Sequence, residues 1–181
     1  MGIGAVKAVF LDRDGVLNRS IVRDGTPYPP AGIDELAIYP DAAEALRRLQ
    51  QAGYLLIVVT NQPDIARGTQ TRAAVDLIDS ALAAALPIDE FLVCAHDNAA
   101  NCLCRKPKPG MVLDAAARHA VDLRQSFLIG DRWRDIDCGA SAGVRTVLID
   151  RGYRERAPEH APDFVAESLA AAADWILGRE Q

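Results

Sequence analysis

Five stretches of this chain, near 6–11, 54–59, 90–94, 126–130 and 145–149, are rich in Val, Ile and Leu and carry no regular polar alternation. A strand with one wet face alternates. One that does not must be covered on both sides, the condition of a parallel sheet held between helices. Helical spacing fills the intervals near 41–52, 71–86, 110–120 and 134–142, which makes the pattern a repeated βαβ unit. Helix punctuation agrees. Asp41 and Glu44 form a D-x-x-E start with Gly53 as the stop, and Thr71 precedes an apolar face of Val75, Ile78, Leu82 and Leu86. A short strand around Phe164-Val165 and a closing helix complete the tail. The expected fold is a doubly wound, Rossmann-like α/β sandwich whose site lies beyond the carboxyl ends of its strands.

At 181 residues the chain suits one domain, 1–181, burying roughly 70% of its unfolded surface. No apolar stretch approaches the roughly 18 residues of a membrane span. No signal-peptide core precedes Asp12, and Val6 stands where a myristoylation signal wants Ser or Thr. A cytoplasmic monomer with no membrane partner is therefore expected. The net charge of −5 argues against a general nucleic-acid binder, yet Arg105, Lys106, Lys108, Arg132 and Arg134 gather around the expected site, so the partner should be a small anion. Two long loops, 15–40 and 94–110, are too short for an independent lid. The site should be open and shaped by loops alone.

Chemistry-bearing residues follow the strands. Asp12-Arg13-Asp14-Gly15 leaves the first apolar run, and in an extended chain residues i and i+2 project to the same side. Asp12 and Asp14 would then repel each other unless a cation stood between them. Thr60-Asn61 follows the second run, Gly130-Asp131 the fourth with Asp135 one turn on, and Lys106 precedes the helix near 110. Taken singly, these are a turn, a helix cap, a strand exit and a solvated charge. Taken together at one sheet edge, they fit phosphoryl transfer. Asp12 is the nucleophile that forms an aspartyl-phosphate, and Asp14 acts as acid and then base. Thr60, Asn61 and Lys106 grip the phosphoryl group, and Asp12 with Asp131 holds Mg2+ through hard oxygen ligands. Asp135 either orients Lys106 or a metal-bound water, or is a helix-surface carboxylate. Asp137 should point elsewhere.

Cys94, His96, Cys102 and Cys104 place three sulfurs and an imidazole within eleven residues, a Cys3His set suited to structural zinc. The C-x-H and C-x-C spacings are tighter than the usual C-x2-C knuckle, so buried free thiols or a disulfide remain alternatives, the latter disfavoured in a reducing compartment. Cys138, alone on a helix, reads as a small core residue. His119 and His160 have no partner in the sequence.

The order D-x-D-G, hydrophobic strand plus T-N, Lys, and G-D-x-x-x-D resembles the haloacid dehalogenase (HAD) superfamily of phosphatases over nearly the whole chain. Within it, DRDGVLN, VVTNQ with I-A-R-G, CRKP and PGM are similar to the capless group that acts on heptose bisphosphate and histidinol phosphate. The resemblance implies Asp12 as nucleophile, Asp14 as acid/base whose main-chain carbonyl also meets Mg2+, Thr60 and Asn61 on the phosphate, Lys106 as charge stabiliser and Asp131 as metal ligand. It also implies zinc on Cys94, His96, Cys102 and Cys104, with Arg105 contacting substrate beside Lys106. The substrate implied is a small phosphorylated sugar, with histidinol phosphate or another small phosphomonoester as the alternative. A non-catalytic phosphate-binding scaffold would be marked by loss of Asp12 or Asp14, and both are present. A phosphomutase would need a closed lid. Arg19, Arg23, Arg67, Arg132 and Arg134 are candidates for the distal part of a substrate, Arg67 foremost because Gly68 beside it allows close backbone approach. Pro63-Asp64 and Arg132-Trp133-Arg134 depart from the group's usual residues, and both bear on the substrate.

Overall fold

The structure, a computed structural model, describes residues 6–179. The expectation about an amino-terminal signal falls largely on 1–5, outside the described residues. In chain order the first elements are β1 (Lys7–Leu11), β2 (Ile21–Arg23), β3 (Thr26–Tyr28), α1 (Ala42–Gln51), β4 (Tyr54–Asn61), α2 (Asp64–Arg67) and α3 (Arg72–Ala85). There follow β5 (Glu90–Cys94), α4 (Gly110–His119), β6 (Phe127–Gly130), α5 (Trp133–Ala142), β7 (Arg145–Ile149), β8 (Phe164–Ala166) and α6 (Leu169–Leu177). Every strand and helix expected from the apolar pattern is present, with ends shifted by a residue or two.

Six strands form one parallel sheet in the order β5-β4-β1-β6-β7-β8. The missing polar alternation now has its cause. Val9, Leu11, Leu56, Val58 and Ile129 face one core with Leu46 and Leu49 of α1, Ile78 and Leu82 of α3, and Leu169 and Ile176 of α6. Their neighbours Ala8, Phe10, Ile57, Val59 and Leu128 face the other, against Met111 and Val112 of α4 and Cys138 and Ala142 of α5. Both sides of each central strand are buried, so neither can be polar. From β1 the chain builds outward through β4 to β5, then returns to β6 on the other flank. The switch point between β1 and β6 opens a crevice at their carboxyl ends.

Two expectations are corrected. Residues 15–40 are not bare loop: Ile21–Arg23 and Thr26–Tyr28 pair as an antiparallel hairpin, closed by Asp24 and Gly25 at φ 52° and 79°. Two positive-φ residues in a two-residue turn match the twist of the strands they join. Asp41 does not cap its own helix; its Oδ2 accepts from the Ala170 N–H at 3.0 Å, in the first turn of α6. The side chain thus joins the two helices. Thr71 caps α3 as expected, accepting from the Ala74 N–H at 3.1 Å. Among the described residues no helix is long and apolar enough to cross a membrane.

Asp41→Ala should lower stability by about 1 kcal/mol, a fall in Tm of roughly 2–4 °C by thermal denaturation, although Asp41 lies far in sequence from the helix it caps.

Candidate active site

The end of β1 delivers Asp12 into the crevice. Its N–H donates to the Ile129 carbonyl at 2.9 Å, so sheet pairing carries on through the residue and fixes its side chain. The Asp12 Oδ1 accepts from the Arg13 N–H at 2.8 Å and from Lys106 Nζ at 2.9 Å. Lys106 Nζ also meets Asp135 Oδ1 at 2.6 Å and the Val59 carbonyl at 2.7 Å, so each of its three N–H groups has an acceptor. Burial would favour a neutral amine, but the carboxylates of Asp12 and Asp135 outweigh it and hold Lys106 above the ordinary lysine range.

Asp12, Asp131 and Asp135 each present a carboxylate oxygen within 4.8 Å of the others, and all three residues are buried. Burial pushes the Asp12 carboxyl up to about 6 despite the pull of Lys106, with Asp135 adding to the rise. Burial and the charges of Asp12 and Asp135 hold Asp131 well above the usual carboxylate range; the Tyr153 hydroxyl relieves this only in part. Neither oxygen of Asp131 has a hydrogen-bond donor in good geometry. Three buried carboxylates thus stand against one ammonium, and a hard divalent cation would make up the difference and satisfy the orphaned oxygens. Gly15 belongs to this arrangement: with φ at +89°, a Cβ there would fall 1.7 Å from Asp131 Oδ2. Only glycine leaves Asp131 its place.

Asp14 shares the cavity with Asp12, as the i, i+2 spacing suggests, but its charge is answered within the chain. Its carboxylate takes four hydrogen bonds of its own: from Arg13 Nε at 3.2 Å and Nη2 at 3.0 Å, Asn18 Nδ2 at 3.0 Å and Gln62 Nε2 at 2.8 Å. The cation answering its charge is the guanidinium of Arg13, fully buried between Asp14 and Asp79 Oδ1 at 2.8 Å. Sequence reading missed Arg13 and Asp79, and took Gln62 only as part of a motif.

The Thr60 Oγ1 accepts from Gln62 Nε2 at 2.9 Å. The Asn61 side chain makes a reciprocal pair with the backbone of Lys106, donating to its carbonyl at 3.0 Å and accepting from its N–H at 3.1 Å. These residues line a cavity of about 270 Å³ with Asp12, Asp14, Asp135, Arg67, Arg105, Arg132 and Arg134, walled on one side by Thr26–Pro29 of the hairpin. The wall is therefore a hairpin as well as loops. Asp137 points elsewhere, to the N–H groups of Glu159 and His160. His119 and His160 each find a carboxylate, Glu90 at 2.8 Å and Asp137 at 3.2 Å.

Beside the cavity, the sulfurs of Cys94, Cys102 and Cys104 and the Nδ1 of His96 lie within 4.8 Å of one another, the sulfurs 3.3–3.7 Å apart. All are free thiols, and the spacing is close to the edge of a zinc tetrahedron with bonds of about 2.3 Å. Burial pushes the Cys94 thiol up to about 12. Cys102 falls to about 7, because hydrogen bonds from Cys104 and the Arg105 backbone outweigh what burial it has. The loop packs onto α4 where Gly110 leaves room: a Cβ there would lie 2.3 Å from the Leu103 carbonyl oxygen. Cys138 is separate, in the core beneath α5, with its thiol on the Lys108 carbonyl.

Parallel sheet, switch-point crevice and acid-lysine floor define a phosphatase of the HAD-like hydrolases. Residues 103–172 match a family model described as HAD-hydrolase-like. The chain is 35% identical to D-glycero-beta-D-manno-heptose-1,7-bisphosphate 7-phosphatase of Bordetella bronchiseptica, across 95% of this chain and 98% of that protein. It is 34% identical to the enzyme of that name from Escherichia coli K12, across 92% and 91%. The crystal structure of the B. bronchiseptica D,D-heptose 1,7-bisphosphate phosphatase, complexed with magnesium and phosphate, superposes with a TM-score of 0.81 at 34% identity, covering 96% of this chain and 99% of that one. The chain belongs to the D-glycero-beta-D-manno-heptose-1,7-bisphosphate 7-phosphatase family of HAD-like hydrolases.

Protein purified without chelator should contain about one zinc per chain, and Cys102→Ser should lose it together with several degrees of Tm. Metal analysis that finds no zinc, or a Cys102→Ser variant as stable as the parent, would contradict this.

Proposed function

We propose that the protein is a Mg2+-dependent phosphatase that removes the 7-phosphate of D-glycero-D-manno-heptose 1,7-bisphosphate. It acts as a single domain, as a monomer, and in the cytoplasm, where thiols stay reduced for zinc. The observation that carries the reading is Asp12. Both of its hydrogen bonds fall on Oδ1, leaving Oδ2 for other partners at the floor of a cavity rimmed by guanidinium groups. The names of relatives matched over nearly the whole chain supply the sugar.

Asp12, Asp131 and the main-chain carbonyl of Asp14 would hold Mg2+, which when bound neutralises charge on the carboxylates and the phosphate. Asp12 attacks phosphorus, the bond from phosphorus to the sugar oxygen breaks, and Asp14 protonates the departing alkoxide. Asp14 then takes a proton from water as that water attacks phosphorus, and the bond to Asp12 breaks to free phosphate. Its four hydrogen bonds fill the acceptor sites of a carboxylate, so carrying a proton to the leaving oxygen means giving up at least one of them. Lys106 stabilises charge on the transferring group while Asp135 keeps its ammonium in place. Thr60 and Asn61 position the phosphoryl group, and Arg105 and Arg67 meet the sugar end.

Asp12→Asn should lower turnover at least about 10³-fold with thermal stability retained, because the nucleophile is lost and its shape is not. Phosphate-release rates across heptose 1,7-bisphosphate anomers, histidinol phosphate and simple sugar phosphates test the substrate; faster histidinol phosphate turnover would move the assignment to that ester. Mg2+ binding requires ionised Asp12 and Asp131, whose protons are held more tightly in the folded protein than in the unfolded chain. Mg2+ should therefore raise Tm at about pH 7.5 and much less at about pH 5, where the proton competes. Equal shifts at both pH values would count against these ligands.

A further inference from the structure

The arginines at the cavity differ in whether their charge already has an acidic partner. Arg67 pairs with Asp64 at 3.1 Å, and Arg132 is held by both carboxylate oxygens of Glu155. Arg105 spends Nε on the Asn98 side-chain oxygen at 2.9 Å and Nη1 on the His96 carbonyl at 3.2 Å, both neutral acceptors. It is placed but not neutralised.

Arg134 stands apart. It lines the cavity one residue before Asp135, and among the described residues no carboxylate lies within ion-pair distance of its guanidinium. Its Nε is buried with no hydrogen-bond partner. Its guanidinium carbon sits 4.7 Å from the ring centroid of Trp133, and that ring also carries Arg156 at 3.5 Å. An aromatic ring orients a cation but accepts none of its N–H groups. Burial lowers its pKa, and the like charges of Arg132 and Arg105 lower it further. A half-buried, unpaired guanidinium beside two others is costly in the unliganded protein, and that cost is recovered when an anion with several acceptor oxygens arrives.

Resting on the bisphosphate reading above, we propose that Arg134 is a specificity-determining residue that, with Arg105, binds the non-reacting phosphate of the substrate. Arg132 and Arg67 are excluded from the leading part because their charges are already answered. The planar fork of a guanidinium suits two phosphate oxygens at once. The Trp133 ring behind it keeps the fork from turning out to solvent. Selectivity for a bisphosphate over a monoester thus lies in the first turn of α5, in the Arg132-Trp133-Arg134 segment where this chain departs from the residues familiar in its group.

The test compares the ratio of kcat/KM for heptose 1,7-bisphosphate to that for the heptose 7-phosphate monoester in wild type, Arg134→Gln and Arg134→Lys. In Arg134→Gln the ratio should fall about 10- to 100-fold, mainly through KM for the bisphosphate, as expected when a charge-assisted contact is lost. Arg134→Lys, which keeps the charge but not the fork, should recover part of it. General damage to the site would lower both substrates together and leave the ratio intact, and that result would overturn the assignment. If wild type shows no preference for the bisphosphate, the bisphosphate reading falls and the assignment with it. If the preference is present and survives in Arg134→Gln, the assignment alone falls.

Discussion

The ammonium of Lys106 is the constraint on which the site depends. It is buried and tied to Asp12, Asp135 and the Val59 carbonyl, which come from the ends of β1, β4 and the first turn of α5. Removing the lysine would leave three buried carboxylates with no cation of the protein's own, a loss of several kcal/mol, so the elements have little freedom to separate. Sheet register brings these ends level: Leu11 lies beside Val58 on one flank and Ile129 on the other. Asp12 then arrives level with Val59 and Gly130, with Thr60 and Asp131 one residue beyond. Backbone pairing sets the distances, and the ion pairs hold what pairing has set.

Around this centre charge is handled in two ways. The Asp14 carboxylate is fully answered within the protein, by Arg13 and two amide side chains, and Arg13 in turn by Asp79 on α3. Asp131 is left unanswered, with Gly15 pressed against it so closely that no side chain could intervene. The first arrangement fixes a side chain; the second keeps a binding capacity open. Asp14 and Gly15, which serve one arrangement each, are adjacent at the β1 exit, which is why the D-x-D-G segment carries so much of the chemistry.

Much of this was legible in the sequence where one physical signal dominated. The central strands were readable because burial on both faces forbids polar residues, and the acids were readable because they follow those strands. The metal loop was readable from three sulfurs and an imidazole in a short span. The hairpin was missed although Asp24-Gly25 is a type I′ turn signal, because its strands are three residues long and one contains Pro27. Arg13 was missed because it stands between two conspicuous acids, and its partner Asp79 lies on a helix where a lone acid usually faces water. Asp41 was assigned to the helix it precedes because local spacing cannot show that α6 would dock beside it. Asp12 and Asp14 alternate along the chain, but the turn after Asp12 sends their carboxylates to different partners.

The loop from Cys94 to Cys104 has few apolar side chains to bury, and Leu103 is left 76% exposed. A segment so composed cannot be ordered by packing; bonds from four donor atoms to one ion could order it instead, and Cys94 at the end of β5 roots that ion in the sheet. Rigidity would then cost only four positions, and the intervening Asp97, Asn98, Ala99, Ala100 and Asn101 would be released from any structural duty to be hydrophobic. The loop meets the cavity only through Arg105 and Lys106 at its end, and Asn98 holds Arg105, so a change at that one position would re-aim a rim cation while the strand ends stay as they are.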